Sequence, residues 1–447
     1  MLVFLVRRGH VVPDFVYVLG NRVKGLSHIL HESDHRLSVF VFCHTLSIPQ
    51  AHLRTPATCK RLYRITSHTE RARLQRYQSN DLQEAFCDAF GWEKLAKPRV
   101  WFDVLTPKQV LFFTPVISAL VLRGSEVLAT SRRYREVEPM ARLSGLDLVF
   151  VGERGGKDLT EQLLDSTRRQ SEVIPLVDEF KPDVAVSVAS AVCARVAYGL
   201  RVPHISVNDS PHSEVAGRLS LPLSRLLLCP WIIPYSAWAR FGLKRQQVRH
   251  YRALDPAVWL KRKPLNGPIP KLSQKKRTIT VRVEETYAPY LIGSDRSWTD
   301  VVLNSLADQF PSFNLVALCR YGDQVAATKE KFGSRYIIPD DFVDGRHLLS
   351  STDLFVGMGG TMSAEASLMG VPTISAFQGL LMTEKYLKSV GLLCRARSPK
   401  SVVEQATRLL GASVKADFSR RARGVLSAME DPVPKIATSI MQVAGQA

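Results

Sequence analysis

Residues 357–372 read Gly-Met-Gly-Gly-Thr-Met-Ser-Ala-Glu-Ala-Ser-Leu-Met-Gly-Val-Pro, and these residue types at this spacing could bind a phosphate. Gly359 and Gly360 let the backbone approach an anion closely, and Thr361 adds a hydroxyl. Free N–H groups at the start of a helix favour negative charge. Met362, Ala366 and Met369 recur at helical spacing, so a helix is expected to open here. Glu365 then falls one turn into it, placed to accept hydrogen bonds from a ribose diol. The apolar run from Asp353 to Val356 predicts a buried strand before the turn, and Gly370-Val371-Pro372 ends the helix. A strand–helix turn that needs glycine only for packing is the competing reading. The double glycine, hydroxyl, acid and Gly-x-Pro exit together favour nucleotide binding.

Four other stretches could carry chemistry. Asp103, at the end of an apolar run, could act as a base, hold a base in place, or cap the next helix. Gly152-Glu-Arg154-Gly-Gly156-Lys157 suits an anion or a flexible acceptor loop, and equally a solvated turn. Asn208-Asp209-Ser-Pro-His212-Ser-Glu214 places two carboxylates around a histidine directly after a predicted strand. A histidine oriented by a carboxylate is a workable general base near neutral pH. Arg282 and Arg320 each end a predicted strand, with Glu284, Glu285 and Asp323 nearby. They could balance a diphosphate leaving group or form salt bridges with those acids.

The elements that must position these groups alternate between strand and helix. From residue 98, strands are expected at Val100 to Val104, Glu126 to Thr130, Leu146 to Val151, Asp183 to Val188 and His204 to Val207. Helices are expected near Thr106 to Leu122, Arg135 to Leu143, Leu159 to Phe180 and Val192 to Tyr198. The segment Leu254 to Lys276, rich in proline and lysine, reads as an interdomain linker. A second alternating series follows, with strands at Thr278 to Val283, Asn314 to Leu318, Tyr336 to Ile338, Leu354 to Val356 and Thr373 to Ala376. The fold class is α/β, with two doubly wound, Rossmann-like parallel-sheet domains facing a cleft at 98–265 and 266–447.

Lys and Arg exceed Asp and Glu by 19, which favours anionic partners. The basic residues are scattered and form no zinc or RNA-binding signature, so nucleic acid is not expected. Seven cysteines without a C-x-x-C spacing point to a reducing cytoplasm. No transmembrane helix is read: Leu219 to Pro234 is short and interrupted by Pro222, Arg225 and Pro230. Aliphatics at Leu226 to Ile233 beside a basic surface leave peripheral contact with the inner membrane face open. Residues 1–97 form an extension expected to be poorly ordered. The next methionine after Met1 is Met140, so a start near Val100 would make this part translated upstream sequence. His28, His31 and His35 lie within it at a helical spacing, but three histidines at this spacing do not by themselves predict a metal.

The blocks VWFDVLTPKQVLFFTPVI, VGERGGK, FKPDVAVS, NDSPHSEVAGRLSLPL and VGMGGTMSAEASLMGVPTIS, followed by YLKSVGLL, resemble the family called domain of unknown function 354. Its members look like GT-B glycosyltransferases and non-hydrolysing UDP-N-acetylglucosamine 2-epimerases. The resemblance covers residues 98 to about 411 and leaves the first 97 unexplained. It implies a GT-B fold in which the counterpart of Gly359-Gly360-Thr361 contacts the donor diphosphate and that of Glu365 holds the ribose. The family's first loop commonly reads Pro-His-Val, whereas this chain has Lys108-Gln109-Val110, so Gln109 stands in the histidine's place. His212, Asp103 or Asp209 would then have to supply the base, with Asn208, Glu214 and Gln109 lining the substrate. The expected activity is metal-independent transfer from a nucleotide-sugar, such as a UDP-sugar, with no further cofactor. The acceptor would be a small molecule, a glycan or a lipid-linked compound. Isomerisation of a nucleotide-sugar, and nucleotide binding without catalysis, are the alternatives.

Overall fold

The computed structural model describes residues 2–7, 10–11, 16–17, 38–42, 97–153, 158–284, 297–379, 381–411 and 413–445. The chain divides into two units, Met1–Lys97 and Pro98–Ala447. In the first, β1 (Leu2–Arg7) pairs antiparallel with β2 (His10–Val11), β3 (Val16–Tyr17) and β4 (Ser38–Phe42). This short sheet is a feature that the sequence reading of 1–97 lacks. His28, His31 and His35 lie outside the described residues.

The second unit holds two parallel sheets. The first contains β5 (Arg99–Asp103), β6 (Glu126–Arg133), β7 (Val149–Glu153), β8 (Val184–Ser187), β9 (His204–Val207), β10 (Leu226–Pro230) and β11 (Val248–Tyr251). Their spatial order is β11-β10-β9-β8-β5-β6-β7. The second contains β12 (Thr278–Arg282), β13 (Asn314–Leu318), β14 (Leu354–Gly357), β15 (Thr373–Ser375) and β16 (Cys394–Arg395), in the order β13-β12-β14-β15-β16. Every pairing in both sheets is parallel. Helices cover such strands on both faces, so they read as continuous apolar runs, and β8, β10, β13 and β14 are buried throughout.

Each sheet reverses its order beside its first strand, between β5 and β8 in one and between β12 and β14 in the other. Ligands of open parallel sheets bind at such switch points, beyond the carboxyl ends of the strands. Helix Pro107–Val121 follows β5, with Thr106 as its N-cap and proline at its first position. Helix Met362–Leu368 follows β14.

Four sequence expectations change. Leu226 to Pro230 form a fully buried strand, so those aliphatics present no membrane-facing surface. The segment after Leu254 is not a loose linker at its start. Leu254, Asp255, Ala257 and Val258 are buried, and a short helix spans Ala257–Leu260. Helix Pro432–Ala444 packs on helix Pro107–Val121, so the chain's end crosses back to the first half. Tyr336 to Ile338 contribute only a single bridge, Val316 to Ile337. Among the described residues, no helix is long and apolar enough to cross a membrane.

Candidate functional site

The glycine turn after β14 has the geometry of an anion cradle. Gly359 and Gly360 take φ angles of 102° and 87°, a region that side chains with a Cβ rarely occupy. No hydrogen bond engages the N–H groups of Gly359, Gly360 or Thr361 among the described residues. Gly357, at the strand end, packs directly beneath the turn. A Cβ there would lie 2.1 Å from the Ser363 Oγ. Helix Met362–Leu368 has under two turns, so its dipole is short and the turn's own N–H groups dominate.

Around this turn the structure gathers the residues that the sequence assigned to a donor. One cleft is lined by Gly359, Gly360, Thr361, Glu365, Arg282 and Arg320, together with Arg346. Arg320 donates from Nε to the Tyr134 hydroxyl at 2.8 Å, across from the second sheet to the first. Arg282 donates to the carbonyl of Cys319 at 3.3 Å. Arg346 is held by the carbonyls of Trp259 and Arg262, each at 2.8 Å, which clamps the segment joining the two sheets.

Glu365 is buried, and its Oε1 accepts a 2.7 Å hydrogen bond from the Trp259 indole. Burial pushes its carboxyl up to about 7, against the indole donor and Arg346, which favour the anion. A ribose diol would offer two more donors to the ionised form.

The opposite wall uses charge differently. Pro107, Lys108, Leu111, Arg135, Glu136 and Met140 come from the loops after β5 and β6 and the helices that follow. The Lys108 ammonium lies 2.6 Å from Asp209 Oδ2 and 2.8 Å from Asp255 Oδ2. The Tyr251 hydroxyl donates to the other Asp255 oxygen at 2.5 Å. Burial alone would lower the Lys108 pKa; Asp209 and then Asp255 outweigh it, so the ammonium is held above its usual range. Desolvation and the neighbouring Asp209 raise Asp255, while Lys108 keeps Asp209 low against burial.

Four expected site residues are engaged away from this cleft. Asp103 is fully buried and is neither a free base nor a helix cap. Its carboxylate receives Arg169 at 2.6 and 3.3 Å, Ser190 at 2.7 Å and Thr130 at 3.0 Å. Gln109 is buried, with its Oε1 accepting from the Leu105 N–H at 2.6 Å, so it shapes its own loop. Asn208 does the same for the next loop, accepting from the Ser210 N–H at 2.7 Å. Glu214 is exposed and pairs with Arg218 one turn away. Asp209 reaches the cleft through Lys108.

His212 sits on an exposed turn and does not line the cleft. The solvent it does lose, with the nearby Lys108 and Arg240 cations, outweighs Asp209 and lowers its pKa. Its imidazole is therefore neutral at pH 7. Arg154, Lys157 and Glu285 lie outside the described residues. Sequence reasoning missed Lys108, Asp255 and Tyr251 as a unit. They lie up to 147 positions apart, and only the fold unites them.

An uncharacterized protein of Methanocaldococcus jannaschii is 26% identical over 321 residues, covering 70% of this chain and 92% of its own length. The structure resembles the UDP-GlcNAc 2-epimerase of Neisseria meningitidis bound to UDP-GlcNAc, with a TM-score of 0.60 and 14% identity. That match covers 78% of this chain and all of the other. It also resembles the glycosyltransferase VinC, solved in complex with dTDP, with a TM-score of 0.50 and 17% identity over 78% of this chain and all of that one. At such identities the likeness shows the fold, the two-sheet architecture shared by GT-B glycosyltransferases and these epimerases. A family profile described as a protein of unknown function, DUF354, matches residues 98–444, and the chain belongs to that family.

Proposed function

We propose that the protein is a GT-B-type glycosyltransferase that takes its sugar from a nucleotide-sugar, in the first instance a UDP-sugar. The observation that carries this reading is the turn at Gly359–Thr361. Three consecutive N–H groups without partners among the described residues, on a turn whose two glycines take positive φ, open into a cleft with Arg282, Arg320 and Arg346. Such a site suits a diphosphate, and the buried Glu365 beside it suits the ribose. The solved relatives bound to UDP-GlcNAc and dTDP support the same ligand class.

In this reading the acceptor hydroxyl attacks the anomeric carbon while the bond from that carbon to the diphosphate breaks. The glycine turn, Arg282 and Arg320 stabilise the charge on the departing diphosphate. His212, neutral at pH 7 and within electrostatic reach of Asp209, takes the acceptor's proton once the loop after β9 turns toward the cleft, which it does not line in this structure. The acceptor then enters from the side of the loop after β9. Thermal-shift titrations of the full chain with UDP, dTDP and a panel of UDP-sugars test the donor site. No shift with any of them removes the proposal. His212→Ala is expected to keep nucleotide binding and lose transfer.

A second reading is isomerisation of the nucleotide-sugar, supported by the likeness to an epimerase bound to UDP-GlcNAc. Proton NMR of a UDP-sugar incubated with the protein in deuterated water separates the two. Epimerisation exchanges a ring proton, and transfer does not.

A further inference from the structure

Among the described residues, three acids line the cleft: Glu136, Asp341 and Glu365. Glu365 is buried against Trp259, and Asp341 is exposed to solvent. Glu136 is half-buried, and its carboxylate makes no hydrogen bond or ion pair among the described residues. This is unusual in its setting, because Lys108, Arg135, Arg282, Arg320 and Arg346 line the same cleft. Glu136 immediately precedes helix Val137–Ser144, where an acid gains from the helix dipole. Yet its own backbone is already helical, with φ −96° and ψ −14°, and its side chain caps nothing.

Its neighbour Tyr134 receives Arg320, so the loop after β6 is pinned beside the cations proposed for the diphosphate. A carboxylate there would repel a diphosphate. It suits the uncharged part of the ligand, whose hydroxyl groups donate hydrogen bonds to an ionised acceptor. Glu136 comes from the wall opposite the glycine turn and lines the same cleft, where the sugar attached to a diphosphate at that turn has room to lie.

We propose that Glu136 binds hydroxyl groups of the donor's sugar and so determines which nucleotide-sugar is accepted. This rests on the nucleotide-sugar reading above. Nothing in the sequence signals it, since Arg135-Glu136 is an ordinary charged pair at a helix start.

Calorimetric titration of the full chain with UDP, and with UDP-glucose, UDP-galactose and UDP-GlcNAc, tests it in the wild type, Glu136→Gln and Glu136→Ala. Glu136→Ala is expected to leave UDP affinity within about twofold while weakening the preferred UDP-sugar by ~10–100-fold, the usual range for losing a hydrogen bond to a charged group. Glu136→Gln, which keeps an acceptor oxygen, should recover part of that loss. Equal weakening of UDP and UDP-sugar would show that Glu136 shapes the diphosphate pocket, and would overturn the proposal. So would a variant that binds every UDP-sugar as the wild type does. A wild type that binds neither UDP nor any UDP-sugar would instead remove the parent reading.

Discussion

The two walls of the cleft handle charge in opposite ways. On the second sheet, the turn at Gly359–Thr361 presents N–H groups without partners among the described residues, and arginines stand around it. On the first sheet, the strongest charges are saturated by one another: Asp103 by Arg169, and Lys108 by Asp209 and Asp255. The first arrangement leaves favourable interactions unmade until a ligand arrives. The second makes them during folding. Substitutions on the first wall should therefore appear mainly in stability, and those on the second mainly in binding.

The largest expected effect is on the saturated wall. Asp103→Ala strands a buried guanidinium and should cost about 3–5 kcal/mol in urea unfolding of the full chain. A small loss there would mean that the pair is not structural. Next comes Lys108→Met, which leaves Asp209 and Asp255 apposed without their cation. Their folded-state pKa values should rise, so the variant is stable when they are protonated and loses stability as pH rises through that range. A deficit of roughly 2–3 kcal/mol at pH 8, shrinking toward pH 5, is expected. A deficit independent of pH would deny the coupling.

Glu365 bridges the two behaviours, since its carboxyl is raised to about 7 in the folded chain. Ionising it costs the folded state, so this cost is absent at pH 4 and complete above pH 7. Glu365→Gln should therefore stabilise the chain at pH 8 by ~1–3 kcal/mol and weaken UDP binding about tenfold or more. A variant that is destabilised at pH 8, or that binds UDP normally, would contradict the assignment. The smallest stability effect is expected at Gly360. A Cβ there meets nothing within 4 Å, so Gly360→Ala should cost only about 1 kcal/mol, from its positive φ.

The same contrast explains what the sequence could reveal. The turn and its helix, with Glu365 inside it, lie within the ten residues Gly359–Leu368, so strand, glycine and acid form a contiguous pattern. The first wall is assembled from Asp103 with Arg169, and from Lys108 with Asp209, Asp255 and Tyr251. Each partner alone is an ordinary charged residue, and no local spacing links them. Asp103 looks catalytic because it ends a strand at a switch point, but an arginine 66 positions away neutralises it. Gln109 and Asn208 hold their own loops for a similar reason, since a polar side chain at a strand end first satisfies the nearby backbone. Most long helices and buried central strands are legible from apolar runs and caps. The edge strands β11 and β16 are not, because Val-Arg-His-Tyr and Cys-Arg carry no continuous apolar run. Strand β10 is apolar enough to pass for a membrane-facing segment until its neighbours bury it.

The most direct test of the central claim is calorimetric titration of UDP into the wild type and Gly360→Ala. UDP should bind the wild type and weaken sharply in the variant, whose melting temperature changes little, because the added Cβ lies where the diphosphate approaches the turn. Failure of the wild type to bind UDP, or equal binding by both proteins, would contradict the account.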